Sequence, residues 1–139
     1  EMSQMDALIE CERKVFRLRK AGNHFDALPL MESSLESRKE MFGLASDEVE
    51  QACKALVLAY NTVAMNLIHN DEFDHAYQML KRSESLIGAK GHIQDRNTRD
   101  KLKAATLNNL GCFYKRKGKP HAALQVLKQA LQIELNANE

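Results

Sequence analysis

The residue types that most often carry out chemistry are scattered along this chain. Five histidines lie at His24, His69, His75, His92 and His121, and none stands at metal-ligand spacing from a cysteine. The chain contains no HExxH, no phosphate-binding loop and no glycine-rich dinucleotide motif. No nucleophile, base and acid can be grouped from residues that lie so far apart in the sequence. We therefore predict a protein that is not an enzyme, has no metal site and needs no cofactor.

The composition favours a globular protein and argues against several classes of partner. The chain has 139 residues, of which 44% are hydrophobic and 28% charged, and 20 basic residues nearly balance 19 acidic ones. That balance disfavours nucleic acid as a partner. The longest apolar run, Ala55–Tyr60, is too short to span a membrane, so we predict no membrane contact. Cys11, Cys53 and Cys112 include no CxxC pair, which indicates reduced thiols and a cytoplasmic protein.

One pattern of residue sizes occurs three times. A small residue is followed by a large apolar residue four positions later, and by another small residue three positions after that. The pattern occupies Ala27-Met31-Ser34, Ala76-Leu80-Ser83 and Ala123-Leu127-Ala130, and the successive first alanines are 49 and 47 residues apart. Periods of this length indicate stacked repeats, which usually bind other proteins along a continuous surface.

Helical periodicity and capping residues predict six helices and no strand. We expect the helices at about 4–20, 26–42, 47–69, 72–87, 97–117 and 120–137. Asp26 is expected to cap the second helix, which places Pro29 in its first turn. Ser46 is expected to cap the third helix, and Asn97 or Thr98 the fifth.

These helices predict an all-α solenoid of three antiparallel hairpins. The hairpins are expected at about 4–43, 46–88 and 97–137, within a single domain that covers 1–139. The sixth helix still carries Leu131, Ile133 and Leu135 near its end. We therefore expect the chain to be part of a longer protein, because a terminal repeat is usually polar on its outer side.

The third hairpin resembles a tetratricopeptide repeat. The residues that match the columns of that motif are Leu107, Leu110, Gly111, Tyr114, Ala123, Leu127 and Ala130, with Gly118 in the turn. The second hairpin matches more loosely, and the first matches least, since Lys14 stands where leucine is expected. The repeats are longer than the usual length of about 34 residues. The phrase Leu107-Asn108-Asn109-Leu110 resembles the long repeats of the kinesin light chain.

The resemblance implies that the first helix of each hairpin lines a concave groove that binds a peptide. On that basis the predicted groove residues are Arg13, Phe16, Lys20, Asn61, Met65, Asn108, Asn109, Cys112, Lys115 and Arg116. Asn61 and Asn108 share one column of the motif, and an amide can both donate to and accept from a peptide backbone. The alternative is that both are ordinary polar surface residues.

The other groove candidates also have two interpretations. Phe16, Met65 and Cys112 would form an apolar floor for the ligand or, alternatively, part of the core. Lys20 and the pair Lys115-Arg116 would attract an acidic partner or, alternatively, be solvated charges near helix C-termini, where the helix dipole favours cations. A clamp for the carboxylate of chaperone tails is not expected, because Glu12 stands where that clamp has lysine.

The predicted function is a scaffold that binds a protein or peptide. The partner is expected to carry acidic residues where it meets the basic residues of the groove. The likeness to the kinesin light chain extends this prediction to a cytoskeletal, ciliary or cargo-adaptor role. The alternative is a self-assembly module that uses the exposed ends of the repeat stack, which the apolar end of the sixth helix suggests.

Overall fold

The computed structural model describes residues 2–88 and 91–137, and these residues form six α-helices. The helices are α1 (Gln4–Lys20), α2 (His24–Phe42), α3 (Asp47–His69), α4 (Phe73–Ile87), α5 (Arg96–Arg116) and α6 (Pro120–Ala137). No strand occurs within the described ranges. The predicted all-α solenoid of three antiparallel hairpins is confirmed. Across the same ranges, no helix combines the length and the hydropathy that a membrane span requires.

Of the three predicted helix caps, one is correct and the other two lie two or three residues from the observed caps. Ser46 caps α3, since its hydroxyl accepts a hydrogen bond from the Val49 amide at 3.2 Å. The second helix begins earlier than predicted, after Asn23, so Pro29 lies in the second turn and interrupts the backbone hydrogen bonding there. The cap of α5 is Asp95, whose carboxylate accepts from the Thr98 amide at 3.0 Å.

The turn inside each hairpin has the same backbone structure. One residue in each turn adopts a left-handed conformation: Gly22 (φ 85°), Asp71 (φ 59°) and Gly118 (φ 77°). The next residue donates its amide to the carbonyl five residues back, in the pairs Asn23–Leu18 (2.8 Å), Glu72–Leu67 (2.9 Å) and Lys119–Tyr114 (2.8 Å). This arrangement is the Schellman motif, which ends a helix and sends the chain back along it. The three turns therefore start the second helix of each hairpin in equivalent positions.

The first alanine of the size pattern confirms this equivalence. Ala27, Ala76 and Ala123 are each the fourth residue of α2, α4 and α6, with exposed fractions of 0%, 0% and 5%. A methyl side chain at this point lets the two helices of a hairpin approach closely. Gly111 serves the same purpose in the third hairpin, because a Cβ there would lie 2.6 Å from the Leu127 side chain. The repeat that the sequence predicts is therefore a repeat of environments as well as of residues.

The helices form two layers with α3 at the centre. α1 packs only on α2, while α3 packs on α2, α4 and α5, and α5 also packs on α4 and α6. Ten residues of α3 are buried, whereas only Leu8 is buried in α1. The backbones of the first helices α3 and α5 approach each other closely. No such backbone approach joins α2, α4 and α6, although Arg82 of α4 forms an ion pair with Glu32 of α2 at 3.4 Å. The stack therefore curves toward its first-helix side at the junction between the second and third hairpins.

Candidate functional site

Large apolar side chains are exposed on the first-helix face, which we define as the solvent-facing side of α1, α3 and α5. Met5, Ile9 and Phe16 share one side of α1, with exposed fractions of 42%, 42% and 65%. Leu58 of α3 lies one repeat after Ile9 and is 52% exposed. Met5, Ile9 and Phe16 thus line one side of α1, and Leu58 exposes an apolar side chain at the equivalent position of α3. We call these four residues the apolar stripe, and exposed apolar groups of this size mark binding surfaces.

The sequence-based list of groove residues contains Phe16 but omits Met5, Ile9 and Leu58. A signal for two of the omitted residues was present in the sequence. Met5, Ile9 and Phe16 lie within about 40° of one another on a helical wheel, well away from the stripe that Leu8 and its neighbours bury against α2. A helix with two separate apolar stripes has one for the core and one for another contact.

Most of the predicted groove residues are accessible. Arg13, Phe16, Lys20, Asn108, Cys112, Lys115 and Arg116 are exposed, while Met65 and Asn109 are half-buried. The ammonium group of Lys20 lies 5.8 Å from the centre of the Phe16 ring, which places a cation beside the apolar stripe. The guanidinium of Arg116 donates to the Asp71 carboxylate at 2.8 Å, so part of its charge is already neutralised.

Asn61 is not available to a ligand, and this part of the prediction is wrong. The side chain is buried, and its Nδ2 lies 3.0 Å from the Val57 carbonyl oxygen and 3.0 Å from Thr106 Oγ1. Ser83 Oγ on α4 is a third acceptor at 3.3 Å. The Oδ1 of Asn61 accepts from Asn109 Nδ2 at 2.7 Å. Because the amide has only two hydrogens and its carbonyl is engaged, Asn61 holds α3, α4 and α5 together.

The column that contains Asn61 behaves differently in each hairpin. In the first hairpin Glu12 accepts from Ser34 at 2.5 Å, and in the second Asn61 donates to Ser83, with the same spacing along the chain. In the third hairpin Ala130 replaces that serine. Asn108 therefore stays exposed and reaches only the Glu134 carboxylate, at 3.5 Å. Of the two asparagines that the sequence pairs, only Asn108 remains a groove candidate.

A cleft of about 340 Å³ separates α1 from α3 and has α2 as its floor. Arg38 of α2 closes one end of it. Its guanidinium donates to the Glu12 carboxylate from Nε at 2.9 Å and from Nη2 at 3.0 Å, and Nη1 donates to the Glu48 carbonyl at 2.8 Å. Arg38 thus ties the first hairpin to the start of α3 at a point where α1 and α3 do not touch.

The electrostatics of Glu12 follow from this arrangement. Partial burial favours the protonated carboxyl, but the hydrogen bonds from Arg38 and Ser34, together with the charge of Arg38, outweigh burial and lower the pKa of Glu12 below its ordinary value of 4.5. Glu12 is therefore ionised at neutral pH, and its charge is compensated within the protein.

Comparisons with known proteins give one match. Residues 104–133 match a family model described as tetratricopeptide repeat, which covers α6 to Ile133 and most of α5. No curated protein and no solved structure gives a significant match. The match supports the tetratricopeptide class of repeat, which generally mediates protein–protein interaction and is typically a non-enzymatic scaffold. The likeness to the kinesin light chain is not confirmed.

The two asparagines of one column provide a direct test of these positions. We expect Asn61→Ala to lower the free energy of unfolding by about 2 kcal/mol, because it leaves the half-buried amide of Asn109 without its acceptor and unpairs Thr106 from α3. Asn108→Ala, at the equivalent exposed position, should change the free energy of unfolding by less than about 0.5 kcal/mol. Urea denaturation followed by circular dichroism measures both. Equal effects of the two substitutions would show that the burial difference is wrong.

The pKa of Glu12 gives a prediction about pH. Because the pKa is lowered in the folded state, the stabilisation by Glu12 is complete above the unfolded value of 4.5 and is lost as the pH falls through the folded pKa. The difference in stability between the wild type and Glu12→Gln should therefore be constant near neutral pH and shrink below pH 4.5. Thermal melts across this range measure it. Glu10→Gln, an exposed change on the same helix, corrects for the loss of one carboxylate. A difference in stability between the wild type and Glu12→Gln that grows in acid would contradict the lowered pKa of Glu12.

Proposed function

We propose that this chain is a non-enzymatic scaffold, acting as one domain, that binds an extended segment of a protein partner on its first-helix face. The observation that carries the proposal is the exposed apolar stripe of Met5, Ile9, Phe16 and Leu58. A monomeric helical protein gains nothing by exposing a phenylalanine and three other large apolar side chains on one face, so a partner that covers them is the simplest physical account.

The charges around the stripe favour an acidic partner. Arg13 and Arg17 line a shallow depression beside Ile9 and Phe16, and Lys20 lies over the Phe16 ring. Lys115 extends the basic edge to the third hairpin. A partner whose acidic residues flank an apolar segment would gain from both features, with the charges acting mainly on the rate of association and on specificity.

A cytoplasmic location and an adaptor role at the cytoskeleton, at cilia or in cargo transport are the finer form of this proposal. Their support is the sequence phrase Leu107-Asn108-Asn109-Leu110 alone. In the structure Leu107 and Leu110 are buried and Asn109 binds Asn61, so three of these four residues have packing roles within the protein. The phrase is therefore explained by the fold, and the adaptor role is a proposal by analogy.

The groove proposal can be tested with a displayed library of random peptides selected on the whole chain. We expect the selected peptides to lose about tenfold in affinity for Leu58→Ala and for Phe16→Ala, because truncating a central apolar contact costs about 1–2 kcal/mol. Leu124→Ala is the matched control, since Leu124 is as exposed as Leu58, at 52%, but lies on α6. Peptides that bind all three variants equally would contradict the first-helix face as the binding surface.

A second candidate function, self-association, is favoured by a separate observation on α6. Leu124, Leu127, Leu131 and Leu135 of α6 are 40–56% exposed, and we call them the α6 face. Leu127 occupies the column of Met31 and Leu80, which are 7% and 0% exposed. The α6 face therefore has the composition of a covered surface.

The opposite end of the stack is polar. The outer side of α1 carries Glu10 and Lys14, both exposed, where the equivalent residues of α3 are Ala59 and Val63, both buried. A head-to-tail stack would bury these charges against the leucines of α6, which is unfavourable. We therefore propose that two copies associate through their α6 faces, in a closed rather than an open assembly.

Light scattering across a range of concentrations tests this second function. We expect the mass of the wild type to rise toward that of a dimer, and Leu131→Glu to remain a monomer because the substitution buries a charge in the contact. Leu58→Glu, which places the same charge on the first-helix face, should still dimerise. A wild type that is monomeric at every concentration would rule the α6 contact out.

A further inference from the structure

We propose that the cleft between α1 and α3 binds a carboxylate of the partner, with Arg19 as its anchor and an apolar residue of the partner alongside. This inference deepens the proposed function, because it rests on a peptide lying along the first-helix face and names the chemistry that the first junction recognises.

The two junctions between hairpins differ in a way that leaves this space. At the second junction α3 and α5 touch directly, and the buried amide of Asn61 joins them. At the first junction the backbones of α1 and α3 do not approach closely, and the cleft opens between them. Two repeat positions of α1 that line the cleft differ from their equivalents in α3. Val15 stands where α3 has the smaller Ala64, and the charged Arg19 stands where α3 has Ile68, which is 1% exposed.

Arg19 is the one charge of the cleft that the protein leaves uncompensated in the described ranges. Its Nε is buried and has no hydrogen-bond acceptor there. A buried donor without an acceptor is costly, and more so on a charged group. The other two charges cancel, because Arg38 and Glu12 form a bidentate pair. The cleft therefore has a net positive charge at Arg19, which a carboxylate from outside would neutralise.

The rest of the lining is apolar and specifies what stands next to the carboxylate. Val15, Met31 and Ala55 contribute the walls and floor beside Arg19. Phe16, on the adjoining side of α1, is largely exposed and continues the apolar surface outward. A peptide that places an acidic group in the cleft would therefore lay a neighbouring apolar side chain on Phe16. The carboxylate can come from an aspartate or glutamate side chain or from the C-terminus of the partner, and both have the chemistry that a guanidinium recognises.

The test uses the whole chain and peptides selected from the displayed library on the wild type. We expect selected peptides to carry an acidic residue or a free C-terminal carboxylate beside an apolar one, and to bind Arg19→Gln about tenfold more weakly. Lys14→Gln is the matched control: it removes one positive charge from an exposed position of α1 that lines neither the cleft nor the depression beside Phe16. Thermal melts confirm that each variant folds, and Arg19→Gln should melt no lower than the wild type, because its Nε–H has no partner to lose.

Changing the peptide identifies the source of the carboxylate. Replacing the acidic residue of the peptide by its amide, or amidating the peptide C-terminus, should weaken binding to the wild type by the same factor as Arg19→Gln does. Neither change should weaken binding to Arg19→Gln any further, as expected for two groups that contact each other. Arg19→Lys, which keeps the charge and loses the planar fork, should give an intermediate affinity.

The failures of the two proposals can be told apart. Peptides that are weakened by Phe16→Ala and Leu58→Ala, but bind Arg19→Gln as tightly as the wild type, would overturn the carboxylate anchor and leave the first-helix face intact. Equal losses of affinity in Arg19→Gln and Lys14→Gln would show that only the overall charge of α1 matters, and would also overturn the anchor. Peptides insensitive to every one of these changes, or no selected peptide at all, would overturn both.

Discussion

The close approach of the two helices in each hairpin is the constraint on which the rest of the structure depends. It is set by a left-handed residue in the turn and by an alanine at the fourth position of the second helix, both of which occur in all three hairpins. The first fixes where the chain turns back, and the second removes the side-chain volume that would keep the helices apart. Once these are fixed, each hairpin has two outer sides that it cannot bury alone. Stacking buries them, which is why α3, with neighbours on both sides, forms the centre of the core.

The stack is regular in its hairpins and irregular in its junctions. The second junction is closed by a small residue, Ala64, and by a buried amide whose hydrogen bonds reach two neighbouring helices. The first has Val15 and Arg19 in the equivalent columns, and there the long side chain of Arg38 joins Glu12 of α1 to the start of α3. Bulk and charge thus hold α1 away from α3. The first-helix face therefore has two properties, exposed apolar side chains and a cleft with positive charge, and our proposal that it binds another protein rests on both.

One column of the repeat shows how a position can change its role without changing its place. Glu12 forms an ion pair with Arg38, Asn61 is the centre of a buried polar network, and Asn108 faces solvent. The residue that lies 22 positions after each of these three explains most of the difference, since it is a serine in the first two hairpins and Ala130 in the third. The remainder depends on the next first helix in the stack. For Glu12 this helix is α3, which lies across the cleft, and for Asn61 it is α5, which packs directly against α3. A polar residue in a repeat column therefore carries no fixed meaning until its neighbours are known.

The sequence by itself determined the architecture: the six helices, the hairpin turns at Gly22 and Gly118, and the equivalence of Ala27, Ala76 and Ala123. These features are local, because helical periodicity, capping and turn chemistry act over a few residues and leave a pattern in the chain. The helix starts at Asn23 and Asp95 were misassigned because several polar residues near each start can act as caps. Only the tertiary structure decided that Asn61 is interior, that Ile9 and Leu58 are exposed together, and that Arg19 lines an open cleft. Each of these depends on how closely two helices that are distant in the chain approach, and that distance is set by packing across a junction, which one segment of sequence does not encode.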